Sequence, residues 1–264
     1  MVSITGALAV PQWCALIILI YLYEQKSIIN CINYTYISKG VFTYIHQGQA
    51  RTDFVKIISF LNQKGGVGKT TLCTNVAKTL QLANHKVLLI DSDPQGSARD
   101  WRASNENSSI TVVGLDRPTL DKDINAITNN YDWVLVDGAP QLINMSIAAI
   151  KCAHVVLIPV QPSPYDIWAS EDLVDVIKER QKITGGSPKA AFIISRQIAN
   201  TVLGKEIRDA LSGYDLPVFR YGTFQRVIYA KSAAIGGTVI DTEPNGEAAK
   251  EITLLTKELE EFAL

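Results

Sequence analysis

Twelve residues, Phe60-Leu-Asn-Gln-Lys-Gly-Gly-Val-Gly-Lys-Thr-Thr71, do most to restrict the folds open to this chain. They follow Val55-Lys-Ile-Ile-Ser-Phe60, a β-branched run of strand type. They precede Thr71 to Leu82, where Leu72, Val76, Ala77 and Leu80 recur at helical spacing. Strand, glycine-rich turn and helix in that order make a phosphate cradle. Glycines let backbone N–H groups converge on phosphate oxygens, and the helix N-terminus adds its positive end. Gly65, Gly66, Val67 and Gly68 form the turn, Lys69 is placed to reach the β- and γ-phosphates, and the Thr70 hydroxyl to ligate Mg²⁺. The pattern departs from G-x-x-x-x-G-K-[ST] at one point: Gln63 stands where a glycine is usual, and a second lysine, Lys64, follows it. Lys64 has no duty in its own turn, so its charge is expected to act at a γ-phosphate, supplied in trans in the manner of an arginine finger.

Two more strands end in carboxylates. Lys86-Val-Leu-Leu-Ile-Asp91 leads into Ser92-Asp93-Pro94-Gln95-Gly96, and Trp133-Val-Leu-Val-Asp137 leads into Gly138-Ala139-Pro140. In an open parallel sheet ligands sit at the carboxyl ends of strands, so Asp91 and Asp93 face the same crevice as the glycine loop. One of the two can hold a metal-bound water and the other orient an attacking water, while Asp137, in a Walker-B pattern, reaches the Mg²⁺ shell. The competing reading of Asp93 is a cap on the helix after it.

Further strands are expected at Val155–Val160, at Ala190–Ser195 and near Pro217–Arg220. Helices are expected over Asp166–Ile183, Val202–Leu211 and Glu247–Phe262. This alternation predicts an α/β fold, a doubly wound and mainly parallel sheet with helices on both faces. The chain of 264 residues has a 47% hydrophobic content, ample for one such core, and its net charge of −1 advertises no polyanionic partner. Cys14, Cys31, Cys73 and Cys152 form no C-x-x-C pair and read as reduced cytosolic thiols; His46, His85 and His154 are scattered and read as structural.

Residues 1–54 differ in kind. Ala7 to Tyr23 is apolar apart from Pro11 and Gln12, but its uninterrupted run, Trp13 to Tyr23, covers only 11 residues, short of a span. No lysine or arginine precedes it, against a secretory signal. The chain is therefore read as an N-terminal extension, 1–54, and a nucleotide-binding domain, 55–264. Two origins stand for the extension: a weak membrane segment, or a reading frame extended upstream of a true start at Val55.

Taken together, Lys64-Gly-Gly-Val-Gly-Lys-Thr-Thr71, Asp91-Ser-Asp-Pro-Gln95, Val134-Leu-Val-Asp-Gly-Ala-Pro140, Ile158-Pro-Val-Gln-Pro-Ser-Pro-Tyr-Asp166 and Gln225-Arg-Val-Ile-Tyr-Ala-Lys231 resemble the ParA family of partition ATPases, in the deviant-Walker-A class. The likeness runs over residues 55 to 264 and is greatest to the short ParF-like plasmid members. It implies an ATPase using ATP and Mg²⁺. In that likeness Lys64 reaches the partner's nucleotide across a homodimer, while Lys69, Thr70 and Thr71 bind phosphate and metal. Asp93 is the hydrolysis aspartate, and Asp91 and Asp137 lie near the metal. Arg196, Pro162 and Asp166 lie where the base could sit. The resemblance also implies ATP-dependent dimers that coat DNA non-specifically, a centromere-binding adaptor protein that stimulates hydrolysis, and a cytoplasmic, nucleoid-associated location.

Charge patterning supports a DNA face independently. Pro188 to Ile240 carries seven basic residues against three acids, and Asp241 to Leu264 two against seven. Arg220, Arg226 and Lys231 are the candidate phosphate contacts. The alternatives are a ParA-like ATPase positioning a non-DNA cargo and a membrane-associated MinD-like ATPase; the acidic tail Thr256-Lys-Glu-Leu-Glu-Glu-Phe-Ala-Leu264 argues against the second.

Overall fold

The β-branched runs align as one parallel sheet: β3 (Lys56–Phe60), β4 (Val87–Asp91), β5 (Thr111–Gly114), β6 (Trp133–Asp137), β7 (Val155–Val160) and β8 (Lys189–Ile194). The spatial order is β5-β4-β6-β3-β7-β8, with every pairing parallel. The computed structural model of the chain describes residues 33–37, 41–45, 55–140, 143–199 and 203–264, and contacts divide the chain into two units, 1–54 and 55–264. In the first unit β1 (Asn33–Ile37) and β2 (Val41–Ile45) form an antiparallel pair in register Asn33↔Ile45. The apolar stretch Ala7–Tyr23 and the start proposed at Val55 concern residues outside those described. No helix among the described residues is long and apolar enough to cross a membrane.

In the second unit, helices cover both faces of the sheet. That is why β4, β6 and β7 are continuous apolar runs, buried at every position, rather than alternating ones. Alternate residues still serve opposite layers. Val134 and Val136 of β6 pack with α3 (Leu120–Ile127), α4 (Ile143–Cys152), α6 (Glu171–Thr184) and α7 (Leu203–Ser212). Trp133 and Leu135 face α1 (Lys69–Leu82) and α10 (Glu247–Phe262). Each fully buried leucine or isoleucine contributes roughly 1.5–3 kcal/mol, so the central strands anchor both layers. Shorter helices complete the chain: α2 (Ser97–Ala103), α5 (Pro164–Trp168), α8 (Val227–Ala233) and α9 (Val239–Thr242).

Three expectations need correction. The strand near Pro217–Arg220 is only an isolated bridge, Phe192↔Val218, at the outer edge of β8. Pro217 contributes just its carbonyl there, to the Phe192 N–H at 2.9 Å. The helix expected over Asp166–Ile183 is two helices, α5 and α6. Between them the buried Ser170 turns its hydroxyl back to the Asp166 carbonyl at 2.9 Å. Strand β5 was not anticipated, because an exposed edge of four residues lacks the apolar run that marks its neighbours.

Candidate active site

Strand β3 sits between β6 and β7, so the loop after it emerges where the strand order reverses and a crevice opens. Gly66 and Gly68 adopt φ of +76° and +93°, a left-handed backbone that strains any side chain, and Gly68 hands the chain directly into α1. The loop is tied down from the neighbouring strand ends. Gln161 Nε2, beyond β7, donates to the Gly66 carbonyl at 3.0 Å, and Ser195 Oγ, beyond β8, donates to the Val67 carbonyl at 2.7 Å. Asn62 Oδ1 accepts the Lys64 N–H at 2.8 Å while its amide donates to the Pro159 carbonyl at 2.7 Å. Lys69 Nζ curls back on the Lys64 carbonyl at 3.0 Å, inside the cradle. Burial lowers its pKa, and Asp137 and Asp93 oppose that shift, so both carboxylates act on this ammonium.

Thr70 and Asp137 meet as the motifs required: Thr70 Oγ1 donates to Asp137 Oδ2 at 2.7 Å. The other oxygen, Oδ1, is buried without a hydrogen-bond partner. Burial pushes the Asp137 carboxyl up to about 7, against the Thr70 hydrogen bond. A buried carboxylate with one oxygen unmatched, beside a hydroxyl, is an oxygen donor set that suits Mg²⁺. Among the described residues no cluster of three or more His, Cys, Asp or Glu side chains could hold a metal alone.

Asp91 lies in register with Asp137 but is fully buried, and both its oxygens are engaged by its own chain. Oδ1 accepts the Asp93 N–H at 3.1 Å; Oδ2 accepts the Arg99 N–H at 2.9 Å and Arg99 Nε at 3.4 Å. In this structure Asp91 anchors the loop, with Arg99 on Oδ2 and only the Asp93 N–H on Oδ1. Asp93 stays partly exposed, with Oδ1 accepting the Gln95 N–H at 2.9 Å. Asp91, not Asp93, accepts the Arg99 N–H in the first turn of α2.

Lys64 Nζ donates to Asp166 Oδ2 at 2.6 Å, with the lysine 42% exposed and the aspartate 3%. Asp166 therefore serves the loop rather than a base pocket. Arg196 lines a cavity of about 310 Å³ with Gly68, Thr71, Thr223, Phe224 and Tyr229, whereas Pro162 and Asp166 do not. Arg226 lines the same cavity and is held by Glu251, with Nε at 2.7 Å and Nη2 at 2.6 Å. Arg220 is exposed beside Glu258 and Glu261. Lys231 is exposed in the last turn of α8. The three DNA candidates are thus not one uncompensated patch. Sequence reasoning gave no role to Asn62, Arg99, Gln161 and Ser195, which orient the loops; Asn62 and Gln161 lie within quoted motifs but carry no motif chemistry of their own.

This is the crevice of a P-loop NTPase with a paired-lysine cradle. A family model described as an AAA domain matches residues 55–115 and 100–187. The maintenance of carboxysome distribution protein A of Halothiobacillus neapolitanus is 30% identical over 209 residues, 76% of this chain and 95% of that protein. The sporulation initiation inhibitor protein Soj of Bacillus subtilis is 26% identical over 251 residues, 77% of this chain and 98% of that one. A solved plasmid partition protein of Borrelia burgdorferi, bound to AMPPNP, superposes with a TM-score of 0.61 at 22% identity, covering 79% of this chain and all of that one. The chain belongs to the ParA family of AAA-domain ATPases, which work on ATP with Mg²⁺.

Proposed function

We propose that the chain is an ATP-driven positioning switch whose ATP-bound homodimer binds DNA without sequence preference. A centromere-binding adaptor then stimulates hydrolysis and releases it. One observation carries this reading: the cradle holds two lysines, and Lys69 alone fills it. Lys64, at the mouth on a partly exposed stem, is free to serve a second copy once it leaves Asp166.

At the site Lys69 and Thr71 hold phosphate, Thr70 and Asp137 hold Mg²⁺, and Asp93 orients the attacking water. The metal neutralises charge on the phosphate oxygens. The cavity beside Gly68 and Thr71, with Arg196 and Tyr229 on its walls, takes the nucleoside. The basic stretch 188–240, with exposed Arg220 and Lys231, supplies sequence-independent phosphate contacts. Residues 1–54 stand apart from this machinery as an extension of the ATPase domain 55–264. A second reading, a non-DNA cargo, draws support from the 30% identical relative being named for carboxysome distribution; the motor would be the same and the adaptor different.

The test is co-sedimentation of the full chain with arbitrary DNA in ATP, ADP or no nucleotide, with Lys69→Ala as control. ATP-dependent binding lost in the variant supports the DNA switch. Absent DNA binding with intact ATP binding would refute it in favour of another cargo surface. In a salt titration, an unchanged slope for Arg226→Ala removes Arg226 from the contacts, as its pairing with Glu251 leads one to expect.

A further inference from the structure

We infer that Arg99 is a positioning residue for ATP hydrolysis: its guanidinium fixes the loop that carries Asp93. The inference rests on the assignment of Asp93 to the attacking water.

The side chain bridges three segments. Nε lies 3.4 Å from Asp91 Oδ2, at the end of β4. Nη2 donates to the Asp93 carbonyl at 2.9 Å and to Asp116 Oδ2, beyond β5, at 3.0 Å. The Arg99 backbone N–H adds a further bond to Asp91 Oδ2 at 2.9 Å, so residue 99 holds this buried carboxylate from two sides. Asp91 in turn accepts the Asp93 N–H at 3.1 Å. Asp93 is therefore gripped at its N–H through Asp91 and at its carbonyl by Arg99 directly.

The surroundings leave a slot for this arginine. A Cβ on Gly114 would stand 2.9 Å from Nη1 and 3.1 Å from Cδ, and one on Gly96 would stand 3.3 Å from Nε and Nη2. Gly96 also has φ +73°, so glycine there both turns the chain into α2 and leaves room for the guanidinium. Two glycines and three aspartates converge on one side chain that touches no part of the phosphate cradle. Lysine cannot reproduce the arrangement, because a single ammonium lacks the planar fork that reaches Asp91, the Asp93 carbonyl and Asp116 together.

Steady-state hydrolysis by the full chain tests the inference. Displacing a water-orienting group by about an ångström costs up to about a hundredfold. Arg99→Gln is expected to lower kcat by about ten- to a hundredfold with ATP affinity, read by direct titration, kept within about twofold, and Arg99→Lys to recover only part of the rate. In an Asp93→Asn background the Arg99→Gln change should add nothing, because both act through one group. A wild-type kcat in Arg99→Gln beside an inactive Asp93→Asn overturns the inference alone. Wild-type turnover in Asp93→Asn overturns the assignment on which it rests. Fully additive losses assign Arg99 to general scaffolding and also overturn it. Should Arg99→Gln fail to fold, Asp116→Ala, at an exposed position and without a side-chain acceptor for Nη2, carries the test: a reduced kcat supports the clamp and an unchanged one refutes it.

Discussion

The ion pair between Lys64 and Asp166 should be asymmetric, and the asymmetry can be worked out from burial. The lysine is 42% exposed and the aspartate 3%, with Asp166 Oδ1 buried and unpartnered. Lys64→Ala strands a buried carboxylate whose single side-chain cation has gone. Breaking a buried pair in this way costs about 3–5 kcal/mol, and the partial exposure of Lys64 brings the expected loss nearer 2–3 kcal/mol. Asp166→Asn removes the buried charge and leaves an ammonium that water can solvate, for a loss of about 1 kcal/mol or less. In a domain of this size the first corresponds to a fall in Tm of about 4–12 °C and the second to a few degrees at most. The double variant should resemble Asp166→Asn alone, with a coupling of at least about 1 kcal/mol. Denaturant unfolding of the nucleotide-free chain measures all four species. Equal losses from the two single variants, or additivity in the double, would sink the reasoning.

Three further outcomes follow from the site. The Asp137 carboxyl titrates near 7 in the fold, above its value in the unfolded chain. The fold therefore binds its proton more tightly, and this contribution to stability is lost as pH rises toward and through 7. Asp137→Asn should remove that slope, gaining stability relative to wild type at about pH 8 more than at about pH 5, while abolishing Mg²⁺-dependent turnover; a parallel pH dependence would contradict the shift. Gly138→Ala puts a Cβ 2.4 Å from Leu61 Cδ2 and 2.6 Å from the Phe60 carbonyl, at the root of the cradle. It should cost about 1–3 kcal/mol and weaken ATP binding, both readable by thermal shift with and without nucleotide. Ser195→Ala should cost about 1 kcal/mol and weaken ATP binding, since the Val67 carbonyl loses its buried donor; unchanged affinity would show that β8 does not shape the loop.

The parts of the site legible in the sequence were those whose residues act on near neighbours. Gly65 to Thr71 announces itself because turn, cation and hydroxyl must be consecutive. Asp93 and Asp137 are legible because each ends or follows an apolar run. The rest depends on distances that sequence does not print. Ser195 and Val67 are 128 positions apart, and Gln161 and Gly66 are 95 apart. A lone serine or glutamine after a strand looks like any other loop residue. Arg99 sits only eight positions from Asp91, yet nothing in Gly96-Ser-Ala-Arg99 distinguishes a clamp from a surface arginine until Gly114 and Asp116 are brought alongside. The family resemblance puts Asp166 near the base; its burial and its hold on Lys64 appear only when α5 is packed. Polarised charge misled in the same way: Arg226 counts as basic in the sequence and is matched by Glu251 in the fold.

The two flanks of the cradle are held by different kinds of force, and that difference bears on how the site can work as a switch. On the side of β7 and β8 the ties are mostly neutral hydrogen bonds to backbone carbonyls, from Asn62, Gln161 and Ser195, with one ion pair, Lys64–Asp166. The neutral bonds depend little on the charge of what the loop holds. On the side of β4 and β6 the ties are ionic: Asp137 and Asp93 act on Lys69 and Asp91 on Arg99, with Asp91, Asp137 and Lys69 buried where charges are poorly screened. Loss of a γ-phosphate would change the charge balance on both flanks, at Lys69 and Asp137 on one and at Lys64 on the other. The loop 92–96 leads through Gly96 directly into α2. The buried Trp101 of α2 donates its indole N–H to the Gly237 carbonyl at 2.9 Å, in the segment that joins α8 to α9. Packed contacts therefore run from the loop after β4 through α2 to the segment between α8 and α9, and α8, which bears Lys231, also lines the cavity beside Gly68.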